Sequence, residues 1–432
     1  MSQHGGAAQP GAVQAISPIL AGPLESRVTS SLAAFEGWLD RYGETSYDFQ
    51  TFYAGPVGQW AKGFYYKNRK LGTLAVAPII FCEAFAPSAR RFFFIRQRFP
   101  IADAHYAMGY ARMFRATGDT QYHQRAVHFL GVLLTTACQG RSGLGWGYPF
   151  DWVTIDGIIP QQTPLITTVP YVYEAFAAVH EIDGDDRWLS VMRSIAEHAR
   201  QDYRDFDTGN GAATCSYSTL ERDRGMVVNA NAYRAFLLTK AAHDLNDVRY
   251  LNASKANLRF VLNAQNPDGS WFYSTEGKRN FIDHFHTCFV MKALVKIDQL
   301  TSDGGCRQAI DKGLEYYMTH LFDEGGLPRP FSKAPRLIVY KRELYDYAEC
   351  LNLLTLVHPQ RSDAAPAVAR VVEDLLVRWQ REDGCFRSRQ LLIGWDNVPM
   401  HRWALAQLFR SFSGLLPVTA IAGERIFHKE NE

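Results

Sequence analysis

Two short clusters hold residue types that can move protons. The first is Asp283-His284-Phe285-His286, and the second is Tyr345-Asp346 followed by Glu349. On a helix, residues three apart share a face, so Asp283 pairs with His286 and Asp346 with Glu349. His284 and His286 lie roughly 200° apart around the axis and cannot both serve one metal site. Paired carboxylates suit glycoside chemistry, with one as proton donor and the other as base or nucleophile. The same residues also have plainer readings. A helix-opening Asp283 is a good N-cap, His286 can be a hydrogen-bonding core histidine, and first-turn acids such as Asp346 are favoured by the helix dipole. Asp151 lies between Phe150 and Trp152 in GWGYPFDW. Desolvation there is expected to raise its pKa toward general-acid work, and a turn or cap role is the alternative. Asp396, in GWDNVP, is read the same way. Tyr345 is placed as an assisting residue.

Around these groups the loops are rich in aromatics: Trp146, Tyr148, Trp152, Tyr217, Trp271 and Tyr273, with Glu276 nearby. Each can stack on a ligand ring or simply pack its loop.

The bulk composition excludes several classes. The 432 residues carry a net charge of +2, so the overall charge balance gives no argument for nucleic acid or membrane-surface binding. The seven cysteines are scattered and form no CxxC pair, which points to a reducing, cytoplasmic setting. Residues 1–24 are rich in Gly, Ala, Gln and Pro and lack the profile of a secretion signal, so they are read as a flexible tail. No run is long and apolar enough for a membrane span. Gly-rich phosphate loops, GxSxG and HExxH are missing, and no metal or cofactor is expected. The basic-aromatic run Arg90–Arg98 can bind an anionic glycan or a diphosphate carrier, or form a solvated face over buried aromatics.

The elements that position these residues are helices in a repeat. First helices begin near 103, 167, 229, 283, 345 and 399, in steps of 54–64 residues. Each is followed by a Gly/Asp turn, a second helix, and a loop holding Gly and an aromatic. The first helices are richer in small and polar residues and are assigned to an inner ring. Five second helices follow, and the amphipathic helix Ser26–Arg41 supplies the sixth partner. The expectation is an all-α (α/α)6 toroid over 25–415, closed by the N-terminal helix, with a tail over 416–432. An open solenoid of helix pairs is the alternative, but its repeats usually run about 33–47 residues. The segment 47–99 is read mostly as loop, with one apolar helix near Leu74–Phe85.

In such a ring all loops entering inner helices emerge at one mouth. The clusters above therefore meet there, joined by His105, Asp396 and His401. Apolar walls with several carboxylates suit an oligosaccharide or polysaccharide.

The stretches GWGYPFDW, PYVYEAFAAVHEIDGDDRWL, NANAYRAFLL and QNPDGSWFYSTEGKRNFIDHFHTCF resemble those of bacterial six-hairpin proteins encoded in exopolysaccharide and surface-glycan biosynthesis loci. The resemblance covers about residues 95–415. It implies an (α/α)6 toroid and a role in making or modifying a polysaccharide, which includes lipid-linked substrates and association with a biosynthesis complex. It implies no catalytic residues. More distantly the chain is similar to six-hairpin glycosidases, unsaturated uronyl hydrolases and uronyl epimerases. Three readings stay open: a glycan-acting hydrolase, lyase or epimerase; a non-catalytic glycan-binding or scaffolding component; and a terpenoid-cyclase-like toroid enzyme.

Overall fold

The computed structural model describes residues 19–20, 22–138, 142–277, 279–335, 338–361 and 363–418. Most of the tails expected at 1–24 and 416–432 lie outside the described residues, and the first helix already begins at Gly22.

The inner helices are α5 (Pro100–Thr117), α7 (Val169–Asp183), α9 (Val228–Asp244), α11 (His284–Thr301), α13 (Leu344–Val357) and α15 (Ala406–Ser413). An irregular π-turn, His401–Leu405, leads into the last of these. Each packs on the next, and α15 packs back on α5, so the ring closes. The outer helices are α1 (Gly22–Tyr42), α6 (Thr120–Thr135), α8 (Asp186–Gln201), α10 (Leu251–Asn263), α12 (Gly304–His320) and α14 (Ala364–Asp374). The α14 helix continues as a π-turn over Leu375–Trp379. This is the expected (α/α)6 toroid, with α1 as the sixth outer helix.

Burial explains the two rings. Inner helices are enclosed on nearly every side, so small and apolar residues recur without an amphipathic stripe. Outer helices bury one face each, as Trp188, Met192, Ile195, Ala196 and Ala199 show on α8. In three hairpin turns the Asp is an N-cap: Asp119, Asp185 and Asp303 accept backbone N–H groups that open α6, α8 and α12.

The segment 47–99 carries the helix expected near Leu74–Phe85 but holds less loop than expected. It holds α2 (Thr51–Ala54) and the helical hairpin α3 (Pro56–Lys67) and α4 (Arg69–Phe85). Its glycines mark close crossings rather than breaks. A Cβ at Gly58 would lie 2.0 Å from Phe52 O, and one at Gly72 2.2 Å from Tyr65 Cα. Pro56 sits in the first turn of α3, where its missing N–H costs nothing. Phe52, Ala61, Val76 and Ile79 form a small core inside this hairpin.

Short antiparallel strands, not anticipated from the sequence, shape the loops. They are β1 (Trp152–Thr154), β2 (Gly157–Ile159), β3 (Asp205–Gly209), β4 (Ala212–Cys215), β5 (Ile282–Asp283), β6 (Phe331–Lys333), β7 (Tyr340–Glu343), β8 (Arg389–Leu391) and β9 (Trp395–Asp396). They pair β1–β2, β3–β4, β5–β6 and β7–β8–β9.

Candidate active site

At one end of the ring four of the inner-helix units bring polar groups together. These are Asn229 on α9, His286 on α11, Asp346 on α13 and Arg402 just before α15. The β5 strand sets the entry of α11. Asp283 is its last residue and caps the helix, with Oδ1 accepting the His286 backbone N–H at 3.1 Å. Its other oxygen lies 2.6 Å from His286 Nδ1. That bond orients the imidazole and directs Nε2 away from the cap. Asp283 and His286 line a small pocket with Asn229, Tyr273 and Phe281. His284 faces the other way, toward α12, with Nε2 2.7 Å from the Tyr317 hydroxyl. Burial pushes its pKa down to about 3.

Asp346 is enclosed in the first turn of α13, and neither carboxyl oxygen has a hydrogen-bond partner among the described residues. Burial, with added repulsion from Glu343 and Asp283, raises its pKa well above the usual carboxylate range. Burial therefore favours the neutral carboxylic acid at this position. Glu349, one turn deeper, is bound to Lys292 Nζ, and its second oxygen has no hydrogen-bond partner among the described residues. The i, i+3 pair expected on α13 is present, but the two carboxyls have different jobs, since Glu349 is held by an ammonium inside the ring.

Aromatic rings link these groups around the mouth. Tyr345 stacks on Trp403 with centroids 4.4 Å apart and planes within 4°. Phe285 stands edge-on to both, and His286 meets Tyr273 at 4.7 Å. On the other side Arg402 lies 4.6 Å over the Tyr148 ring. Tyr148 contacts Trp152, which contacts Tyr217. Trp403, Arg402 and Asn229 were missed in the sequence. The signal that could have found them is position: each lies in the opening turn of its unit's inner helix or in the turn leading into it, as His286 and Asp346 do.

Several expected site residues have structural placements instead. Trp146 and Trp271 are core residues. Their indole N–H groups donate to Leu133 O at 2.8 Å and Val261 O at 3.0 Å, so neither offers a stacking face. Asp396 is fully buried and paired with Arg90 at 2.7 Å. His401 is locked between the Tyr106 hydroxyl at 2.7 Å and Gly43 O at 2.9 Å, and burial pushes its pKa down to about 4. His105 lies inside the ring against Tyr171, and burial with the nearby Arg410 lowers its pKa well below the ordinary range. Asp151 is half-buried and ties its own loop, accepting the Gln161 N–H at 2.8 Å. Glu276 is exposed and paired with Arg279.

Buried arginines hold the mouth together. Arg389 Nε meets Glu343 at 2.5 Å and its Nη1 meets Glu83 of α4 at 2.8 Å. Arg402 grips Asp48 through two nitrogens. With Arg90–Asp396, these pairs fasten the 44–98 segment to the last third of the chain. Such pairs add geometry more than stability, but losing one partner is costly.

Neither a protein-family model nor a curated protein sequence matches the chain. Solved structures do. One is an unsaturated glucuronyl hydrolase specific for heparin, with TM-score 0.61, 10% identity, and 91% of this chain and 96% of that chain covered. Another is the cellobiose 2-epimerase of Bacillus thermoamylovorans B4167, with TM-score 0.57, 10% identity, and 73% and 87% covered. A third is a D-mannose isomerase, with TM-score 0.54, 12% identity, and 73% and 86% covered. At these identities the likeness is one of fold: the chain shares the six-hairpin toroid of these enzymes.

Proposed function

We propose that this chain is a carbohydrate-active enzyme that acts at the ring mouth on an oligosaccharide or polysaccharide by acid/base chemistry, of hydrolase, lyase or epimerase type. The observation that carries this reading is the unpartnered carboxyl of Asp346 beside the Asp283–His286 pair. Burial drives the Asp346 carboxyl toward its neutral form, and the adjacent pair presents an oriented imidazole. Asp346 is the acid, protonating a departing or developing oxygen. His286, oriented by Asp283, takes a proton from the substrate or a water through Nε2. The Tyr345–Trp403 stack, with Tyr345 buried and Phe49 packed against Trp403, backs the mouth, and the half-buried Tyr148, Trp152, Tyr217 and Tyr273 wall the approach. The structural neighbours add support, being by name a hydrolase of unsaturated glucuronyl groups, an epimerase of cellobiose and an isomerase of mannose. The role in polysaccharide biosynthesis, with a lipid-linked substrate or a biosynthesis complex, rests on the sequence resemblance alone.

A non-catalytic glycan-binding role is the second reading. It is favoured by the number of mouth carboxylates spent on structure, namely Asp48, Asp396, Glu83 and Glu343 on arginines. The terpenoid-cyclase reading needs an apolar chamber, and the Lys292–Glu349 and Lys296–Glu174 pairs inside the ring count against it.

A panel of neutral and uronic-acid oligosaccharides, incubated in deuterium oxide, tests the proposal and sorts the reaction type. Proton-abstraction epimerisation leaves carbon-bound deuterium in the sugar. Elimination leaves an ultraviolet-absorbing double bond, and hydrolysis leaves new reducing ends. Binding without any of the three supports the second reading.

A further inference from the structure

The α3–α4 hairpin buries its inner faces in its own small core and on the loops of the ring mouth, yet its outer face is also apolar. Trp60 is 65% exposed, Leu74 71% and Phe81 62%, and the following segment adds Phe92 at 77% and Ile95 at 72%. On α4, Leu71, Leu74, Phe81 and Phe85 recur at helical spacing on the solvent side. So many large exposed apolar side chains on one hairpin and the segment after it mark an interaction surface.

The charges around it say which kind. Between Asp48 and Asp103 the chain has eight basic residues and a single acidic one, Glu83. That carboxylate is buried on Arg389. Lys67, Arg69, Lys70 and Arg91 are exposed beside the apolar face, so the rim presents positive charge with no exposed carboxylate in this stretch. A Trp/Phe/Leu face with a Lys/Arg rim is the pattern of helices lying in a membrane interface, where apolar burial and attraction to anionic headgroups add. No described helix is long and apolar enough to cross a membrane, so the contact would be with one leaflet.

We infer that the α3–α4 hairpin docks this protein on an anionic lipid membrane, with Trp60, Leu74, Phe81 and Phe85 in the interface and the Lys67–Lys70 turn on the headgroups. The hairpin is fastened to the mouth by Glu83–Arg389 and Arg90–Asp396, and α3 packs on β1 beside Trp152. Docking therefore holds the mouth close to the membrane surface. The inference stands whatever the mouth binds.

The test is vesicle flotation of the full chain with phosphatidylcholine alone and with phosphatidylcholine and phosphatidylglycerol in equal amounts. The expected result is flotation with the anionic vesicles only, reduced by salt. The exposed triple variant K67Q/R69Q/K70Q is expected to lose about a hundredfold in partitioning, and W60S/F81S to lose flotation. Circular dichroism checks that both variants keep the helical fold. No flotation of the wild type overturns the inference, as does flotation that both variants retain. Sedimentation velocity run alongside covers another occupant: a dimer that W60S/F81S breaks, without flotation, assigns the face to a second copy and also overturns it.

Discussion

The carboxylate of Asp283 makes two bonds to one residue, capping α11 through the His286 backbone N–H at 3.1 Å and holding His286 Nδ1 at 2.6 Å. Fold and proposed chemistry share a single side chain, and substitution can separate them. Asn caps nearly as well as Asp but offers an N–H where the imidazole needs an acceptor. Asp283→Asn is therefore expected to keep stability within about 0.5 kcal/mol while lowering turnover about 10²–10⁴-fold. Asp283→Ala loses the cap as well, at about 1 kcal/mol. Urea denaturation and turnover, measured on both variants, check the split.

Asp346 predicts a pH dependence of stability. Its folded-state pKa is raised, first by burial and then by Glu343 and Asp283, above the ordinary 3.8. The folded protein thus binds this proton more tightly than the unfolded chain does. The stability it contributes is full below 3.8 and is lost as pH rises through the folded value. Asp346→Asn removes that slope. Thermal melts across the range should show the variant gaining on the wild type as pH goes from acid to neutral. Parallel curves would mean that Asp346 is already ionised.

The ring was legible in the sequence because its repeat is written in helix starts. The inner helices were expected near 103, 167, 229, 283, 345 and 399, and they begin at Pro100, Val169, Val228, His284, Leu344 and the His401 turn. The α3 helix and the start of α4, ahead of the helix expected near Leu74–Phe85, were hidden because Gly58, Gly63 and Gly72 look like helix breakers. Two of them are there to let backbones touch. The mouth was harder to read. Spacing brought Asp283 and His286 together, but nothing local says that Asp396 meets Arg90, a contact spanning most of the chain. Nor does the sequence tell Trp271, folded inward over Gly313, from Trp403, laid flat on Tyr345.

That difference between tryptophans is itself testable. Trp271→Ala removes a core side chain and is expected to cost about 3–5 kcal/mol of stability. Trp403→Ala, at a half-buried ring, should leave a more stable protein than Trp271→Ala does, and should weaken glycan binding about tenfold through the lost aromatic contact at the mouth. Denaturation curves and calorimetric titrations on the two variants give the comparison.

Arg389 joins two buried carboxylates from distant parts of the chain. Arg389→Met leaves Glu83 and Glu343 unpaired, and the expected loss is about 3–5 kcal/mol. The partly exposed Arg381–Asp383 pair provides the contrast. Arg381→Gln should change stability by less than about 1 kcal/mol. Urea denaturation of both variants reads the difference, and equal effects would mean that the mouth is not held by its buried arginines.

The decisive measurement is turnover and calorimetric binding of the same sugar by wild type and Asp346→Asn. Once the oligosaccharide panel has yielded a substrate, the variant is expected to bind it with an affinity near that of the wild type and to convert it about 10²–10⁴-fold more slowly. Binding with undiminished turnover in Asp346→Asn would contradict the assignment of the mouth acid. A wild-type protein that binds sugars and converts none would contradict catalysis itself.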